Sequence, residues 1–151
     1  METIRDFEDI LSLFEKHNVR YMIVGGLAFI FHAKPRYTKD IDIWVDQDPV
    51  NVENANKALT EFGSPYLISV PVDIEEILQL GIPPNRIDIL LHLPGVSFDT
   101  AWGKKIRSNY GEVMTNWIDI DSLILAKQSI DSPRHKEDVR VLLKVKELQP
   151  K

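Results

Sequence analysis

Apolar residues recur along this chain with two periods, and the switches between them divide it into elements. Ile4, Phe7, Leu11 and Phe14 lie three or four apart with Arg5, Glu8, Asp9 and Glu15 between them. This is the stripe of an amphipathic helix over about residues 3 to 17, with an apolar face suited to covering a sheet. Asn18 is a stop signal, and Arg20 to Val24 is a short apolar run of the kind that forms a buried strand. Gly25-Gly26 then turns the chain into a second helix. From Asp40 to Val45 the period becomes two, with Ile41, Ile43 and Val45 on one face of a strand and Asp40, Asp42 and Trp44 on the other.

Asp48-Pro49 opens a surface helix that Val52, Ala55, Leu59 and Phe62 carry to Gly63. Residues 64 to 84 hold four prolines and a short helical pattern around Ile74, Ile77 and Leu78, so irregular structure is expected there. Asn85 to Leu91 reads as a strand, Ile87, Ile89 and Leu91 alternating with Asp88 and Leu90. Gly111 to Ile118 resembles another. Asp119 or Asp121 caps a helix bearing Leu123, Ile124 and Lys127, and Ser132-Pro133 opens a last one with Val139, Leu142 and Leu143. The pattern predicts an α/β (α+β) fold: a short mixed sheet flanked by helices, with no internal repeat and one domain over residues 1–151.

Composition narrows the function classes. With 151 residues, 44% of them hydrophobic, the chain can bury a substantial core. A net charge of −5 argues against coating nucleic acid by charge alone. The absence of cysteine excludes disulfides, thiolate zinc sites and cysteine nucleophiles. No secretory signal opens the sequence, and the apolar run Tyr21 to Ala33 is too short to span a bilayer, so a cytoplasmic protein without membrane attachment is expected.

The acidic strand is where chemistry concentrates. Arg36, Thr38, Asp40 and Asp42 are two apart, so in an extended segment they project from one side toward whatever Gly25-Gly26 faces. A helix beginning at such a glycine pair presents unpaired backbone amides to an anion, and glycine allows a phosphate to approach closely. Two carboxylates on one strand suit a hard divalent cation, Mg2+ or alternatively Mn2+, that bridges to substrate phosphates. Asp88, mid-strand in an apolar run, is the candidate third ligand. Three converging carboxylates repel unless cations neutralise them, and two bound metals support in-line phosphoryl displacement. The expected reaction is nucleotidyl transfer from a nucleoside triphosphate to a hydroxyl, releasing pyrophosphate.

Plainer roles compete with these. Asp88 could pair with Arg86 or Lys127, Lys127 could pair with Asp138, and Arg36 and Lys39 could be solvated charges. The cluster Asp40, Asp42, Asp46 and Asp48 is not a calcium loop, because Trp44 takes a ligand position and the turn glycine is missing. His17, His32, His92 and His135 lack metal-ligand spacing and are assigned surface or packing roles, as are Trp102 and Trp117 packing roles.

Val24-Gly25-Gly26, Asp40-Ile41-Asp42-Ile43 and Ile87-Asp88-Ile89 together resemble the motif of the polymerase-β-like nucleotidyltransferase superfamily. More narrowly, the chain looks like the small bacterial abortive-infection type group, some of whose members are toxins of type IV toxin–antitoxin pairs. Pro83 to Leu90, Gly95 to Trp102 and the C-terminal helix pair carry that likeness. It implies a minimal nucleotidyltransferase fold, metal binding and catalysis by Asp40, Asp42 and Asp88, and nucleotide binding by Gly25, Gly26, Arg36, Thr38, Lys127 and Asp138. It leaves open an RNA, protein or small-molecule acceptor and a cognate antitoxin or toxin partner. The group's Gly-Arg pair before the final aspartate is absent, and Ile130 to Glu137 supply Arg134 or Lys136 instead. A non-catalytic binding module on the same fold is the alternative this departure raises.

Overall fold

The computed structural model describes residues 1–82 and 85–149, so Pro83 and Pro84 of the motif above lie outside the described residues. Its frame is one six-stranded mixed sheet in the order β3-β4-β2-β1-β6-β5. The strands are β1 (Tyr21–Val24), β2 (Asp40–Val45), β3 (Ile77–Leu80), β4 (Arg86–Leu90), β5 (Ile106–Tyr110) and β6 (Val113–Trp117). Neighbours β2 and β4, and β1 and β6, run parallel, while the other pairs are antiparallel.

Two hydrophobic layers sandwich this sheet. On one face lie α1 (Arg5–Lys16) and α3 (Pro49–Phe62), packed on Ile23, Ile41, Ile43, Ile87 and Ile89. Phe7, Ile10, Leu11 and Phe14 of α1 are fully buried, each contributing roughly 1.5–3 kcal/mol. On the other face α4 (Phe98–Lys104), α5 (Ile120–Gln128) and α6 (Pro133–Leu148) cover Met22, Val24 and Trp44. The intervening α2 (Gly25–His32) closes the end of the sheet and serves both layers, Leu27 in the first and Phe29 in the second.

Side-chain caps start three of the helices where the sequence places them. Asp48 accepts from Asn51 N at 3.3 Å, Asp119 from Ser122 N at 3.1 Å, and Ser132 from His135 N at 3.2 Å. Asp119 rather than Asp121 is thus the cap of α5. Buried Asn51 also ties α3 to the sheet, donating to the carbonyls of Arg20 (3.1 Å) and Asp46 (2.8 Å) and accepting from Arg20 N (2.7 Å).

Three elements depart from the sequence reading. Ile77 and Leu78 belong to strand β3, not to a helical turn: Leu78 and Leu80 are buried while Ile77 and Gln79 are exposed, which is a period of two. Ile74, which completed the helical spacing, is an exposed residue before the strand. The sequence also did not reveal α4 as a helix or β5 as a strand. Strand β5 is an edge strand whose Arg107 and Asn109 face solvent, so it has no apolar alternation to detect. Among the described residues, no helix is long and apolar enough to cross a membrane.

Candidate active site

The site lies where β1 ends and β2 and β4 begin. Val24 pairs with Asp42 across the antiparallel ladder, so the turn into α2 sits beside the acidic strand. Gly25 adopts a φ of 68°, and a Cβ there would collide with Asp42 Oδ2. A side chain at residue 25 is therefore excluded by both conformation and space. Gly26 follows in ordinary helical conformation, with Thr38 Oγ1 3.3 Å from where its Cβ would stand. Among the described residues no side chain caps α2, which leaves its first amides available to an anion.

Parallel pairing of β2 with β4 sets Asp42 opposite Asp88 and Asp40 opposite Arg86. Because paired residues share a face, all four side chains rise from the same side of the sheet, opposite the isoleucines of the core. Asp88 is only 7% exposed. Arg86 lies over it, donating from Nε to Oδ1 at 2.9 Å and from Nη2 to Oδ2 at 3.1 Å, and reaches Asp40 Oδ2 at 3.2 Å. Burial, then the charges of Asp88 and Asp40, push the Asp42 carboxyl up to about 7. As the side chains stand, no three acids or histidines among the described residues group tightly enough to hold a metal ion. The donor set nevertheless suits a hard cation, since a carboxylate raised by its acidic neighbours regains its charge when a cation is added.

The opposite wall is cationic and comes from α5, α6 and the segment before β2. Lys127 and Asp138, 5% and 4% exposed, form an ion pair at 2.9 Å between the two helices. Arg36 donates to the other Asp138 oxygen at 2.7 Å, with its guanidinium 4.2 Å from the centre of the Phe29 ring. Burial draws the Lys127 ammonium below the usual lysine range although Asp138 opposes it. Burial raises the Asp138 carboxyl, but the bonds from Lys127 and Arg36 outweigh this and hold it low.

Between the walls is a cleft of about 430 Å³ lined by Gly25, Gly26, Arg36, Thr38, Asp40, Asp42 and Lys127, with Tyr37, Lys39, Arg134 and His135 around them. Eight of the nine residues singled out from the sequence thus line the cleft or stand against its acidic wall. Asp138 does not: both its oxygens face Lys127 and Arg36, so the structure places it behind the lysine. The sequence missed His135, whose first-turn position on α6 brings it to the cleft with Nδ1 buried and, among the described residues, without a hydrogen-bond partner. Burial and then Lys127 lower its pKa. Arg134 supplies the cation from the altered segment, whereas Lys136 pairs outward with Asp131. Arg36 is an anchored charge rather than a solvated one, and Trp117 is buried, stacked on Phe31.

A glycine turn, an acidic strand pair and a cationic helix pair around one cleft define a nucleotidyltransferase fold, and solved structures agree. The chain is similar to a lincosamide antibiotic adenylyltransferase, LnuA, solved with lincomycin bound (TM-score 0.61, 18% identity, covering 96% of this chain and 99% of that one). It is also similar to ANT(2″)-Ia in complex with adenylyl-2″-tobramycin (TM-score 0.56, 14% identity, 94% and 91% covered). An antigenic nucleotidyltransferase-like protein from Paracoccidioides brasiliensis matches with a TM-score of 0.55 and 13% identity over 97% and 78% of the two chains. The chain belongs to the family described as nucleotidyltransferase of unknown function (DUF6036), whose profile matches residues 3–148. No curated protein matches the sequence.

Proposed function

We propose that this protein transfers a nucleoside monophosphate from a nucleoside triphosphate to the hydroxyl of a small-molecule acceptor, with Asp40, Asp42 and Asp88 as the catalytic and metal-holding residues. One observation carries the reading: the carboxylate of Asp42 occupies the space left by the missing side chain of Gly25. The turn built for phosphate and the acids built for a cation are therefore a single constellation, facing the cation-lined cleft.

Mg2+, or Mn2+ in its place, would be held by Asp40, Asp42 and Asp88 and would supply charge neutralisation and Lewis acidity at the transferred phosphoryl group. The rest of the division of labour belongs to the chain. The first amides of α2 at Gly25 and Gly26, with Thr38, Arg36 and Lys127, bind and orient the triphosphate. Asp138 positions Lys127 and Arg36 rather than touching the nucleotide. Asp88 takes the proton of the attacking hydroxyl, whose oxygen bonds to the α-phosphorus as the bond from that phosphorus to the α–β bridging oxygen breaks and pyrophosphate leaves.

The likeness to a lincosamide antibiotic adenylyltransferase bound to lincomycin, and to ANT(2″)-Ia bound to adenylyl-2″-tobramycin, favours a small molecule as acceptor over RNA or protein. A toxin acting on a nucleic-acid or protein hydroxyl, paired with an antitoxin in the bacterial cytoplasm, is the narrower alternative. A catalytically silent binding module is the other, supported by the replacement of residues before Asp138. Purified protein, Mg2+ and each α-labelled nucleoside triphosphate are incubated with lincosamides and aminoglycosides, cellular RNA, and a protein extract in turn. Label appearing on a small molecule and lost in Asp42→Ala and Asp40→Ala supports the proposal. Label on RNA or protein supports the toxin reading, and nucleotide binding without transfer to any fraction supports the binding module.

A further inference from the structure

Arg86 stands opposite Asp40 in the β2–β4 ladder and two residues before Asp88 on the same face. Its planar fork closes on both Asp88 oxygens, at 2.9 and 3.1 Å, and one edge extends to Asp40 Oδ2 at 3.2 Å. These are carboxylate oxygens that the reading above gives to a divalent cation. A guanidinium edge and a metal ion compete for the same lone pairs, and two cations a few ångströms apart repel. The two grips are unequal, with two bonds to Asp88 and one, the longest, to Asp40. Asp40 is the arm that opens first.

We propose that Arg86 is an intramolecular counter-cation that holds Asp40 and Asp88 together in the metal-free protein and gives up Asp40 when a divalent metal binds, thereby setting the metal affinity of the site. This rests on the metal-site reading above. Arg86 is a positioning residue, since it acts through the two carboxylates. Without it, the β2 and β4 acids face one another unneutralised until a metal arrives. With it, the protein trades one cation for another. An ordinary partly exposed ion pair at this position would contribute little to stability and would have no such coupling to metal.

The test compares wild type with Arg86→Gln and Arg86→Lys, using calorimetric titration of Mn2+ and thermal unfolding in EDTA and in saturating Mn2+. Arg86→Gln is expected to bind Mn2+ at least about tenfold more tightly, the order expected when one unit charge is removed a few ångströms from the ion at a partly exposed site. Its Tm should fall in EDTA and be restored by Mn2+. Arg86→Lys, which keeps the charge but cannot span both carboxylates, should bind with intermediate affinity. A folded Arg86→Gln protein that binds Mn2+ no more tightly than wild type overturns the proposal. If the glutamine variant does not fold, the lysine variant decides: affinity above wild type supports the role and affinity at or below it overturns it. A wild-type protein that binds no Mn2+ instead sinks the underlying metal-site reading, which separates the two failures.

Discussion

Asp42 fills the space that any side chain on residue 25 would enter, and Gly25 meets it at a backbone angle of 68°. Substitution there is penalised twice, once by the left-handed backbone, about 1–2 kcal/mol, and again by displacement of the carboxylate. Gly25→Ala is therefore expected to lower Tm by several degrees and abolish both Mn2+ binding and nucleotidyl transfer. Gly26→Ala has an ordinary backbone and needs Thr38 to yield by only a few tenths of an ångström. It should fold nearly as well as wild type, and thermal unfolding of the pair distinguishes them. Equal losses in both variants would contradict the assigned geometry.

Asp42 also makes the metal-free fold sensitive to pH. Its carboxyl is raised from the ordinary value to about 7 by burial and its acidic neighbours, so the fold favours the protonated form. The stability gained is complete below the ordinary carboxylate range and is lost as pH rises through about 7. Thermal unfolding in EDTA should show Tm falling between about pH 4 and 7, with a flatter profile in Asp42→Asn. Protons and metal compete for this carboxylate, so Mn2+ affinity should increase with pH, by about tenfold per unit below 7 if one proton is released.

Asp138 separates the structural from the nucleotide-binding part of the cationic wall. Asp138→Ala leaves buried Lys127 without its partner, a change that costs about 3–5 kcal/mol. Urea unfolding should register that loss. Adding Lys127→Met should recover part of the stability by removing the stranded charge, while raising KM for the nucleoside triphosphate. A double variant no more stable than Asp138→Ala would argue against the pair as drawn.

Asn51 offers a test of the frame far from the chemistry. It satisfies the Arg20 amide and the Arg20 and Asp46 carbonyls from within α3. Asn51→Ala is expected to destabilise the protein by roughly 1–3 kcal/mol through these unsatisfied groups. Transfer kinetics at a temperature where the variant is folded should remain close to wild type, since the residue lies away from the cleft.

What could be read from the sequence follows the contrast between the two faces of each element. Asp40 to Val45 was legible because Ile41, Ile43 and Val45 alternate with Asp40 and Asp42, and the same contrast exposed Asp88. Strand β5 was not, since Arg107, Ser108 and Asn109 lie on an edge with little to bury and are recognised only through pairing with β6. Just before β3, Ile74 mimicked a helical spacing that the chain does not use. His135 and Arg134 reach the cleft through the packing of α6 against α5 and α2, a tertiary relation that leaves no local spacing. The pairing of Lys127 with Asp138 was legible from their spacing, whereas the bond from Arg36 to the other Asp138 oxygen was not, because spacing locates a helix face and not what a distant segment brings to it.

The ladder that joins Asp42 to Asp88 also proofreads its own register. A slip by one residue along β2 would carry Asp40 and Asp42 to the face now occupied by Ile41 and Ile43, placing bare charge in the oil between the sheet and α1 and α3. The acids that strain the finished protein make its nearest mispaired neighbour untenable. Replacing them with apolar residues would relieve the native state and, by the same change, remove the barrier that tells the correct pairing from the shifted one.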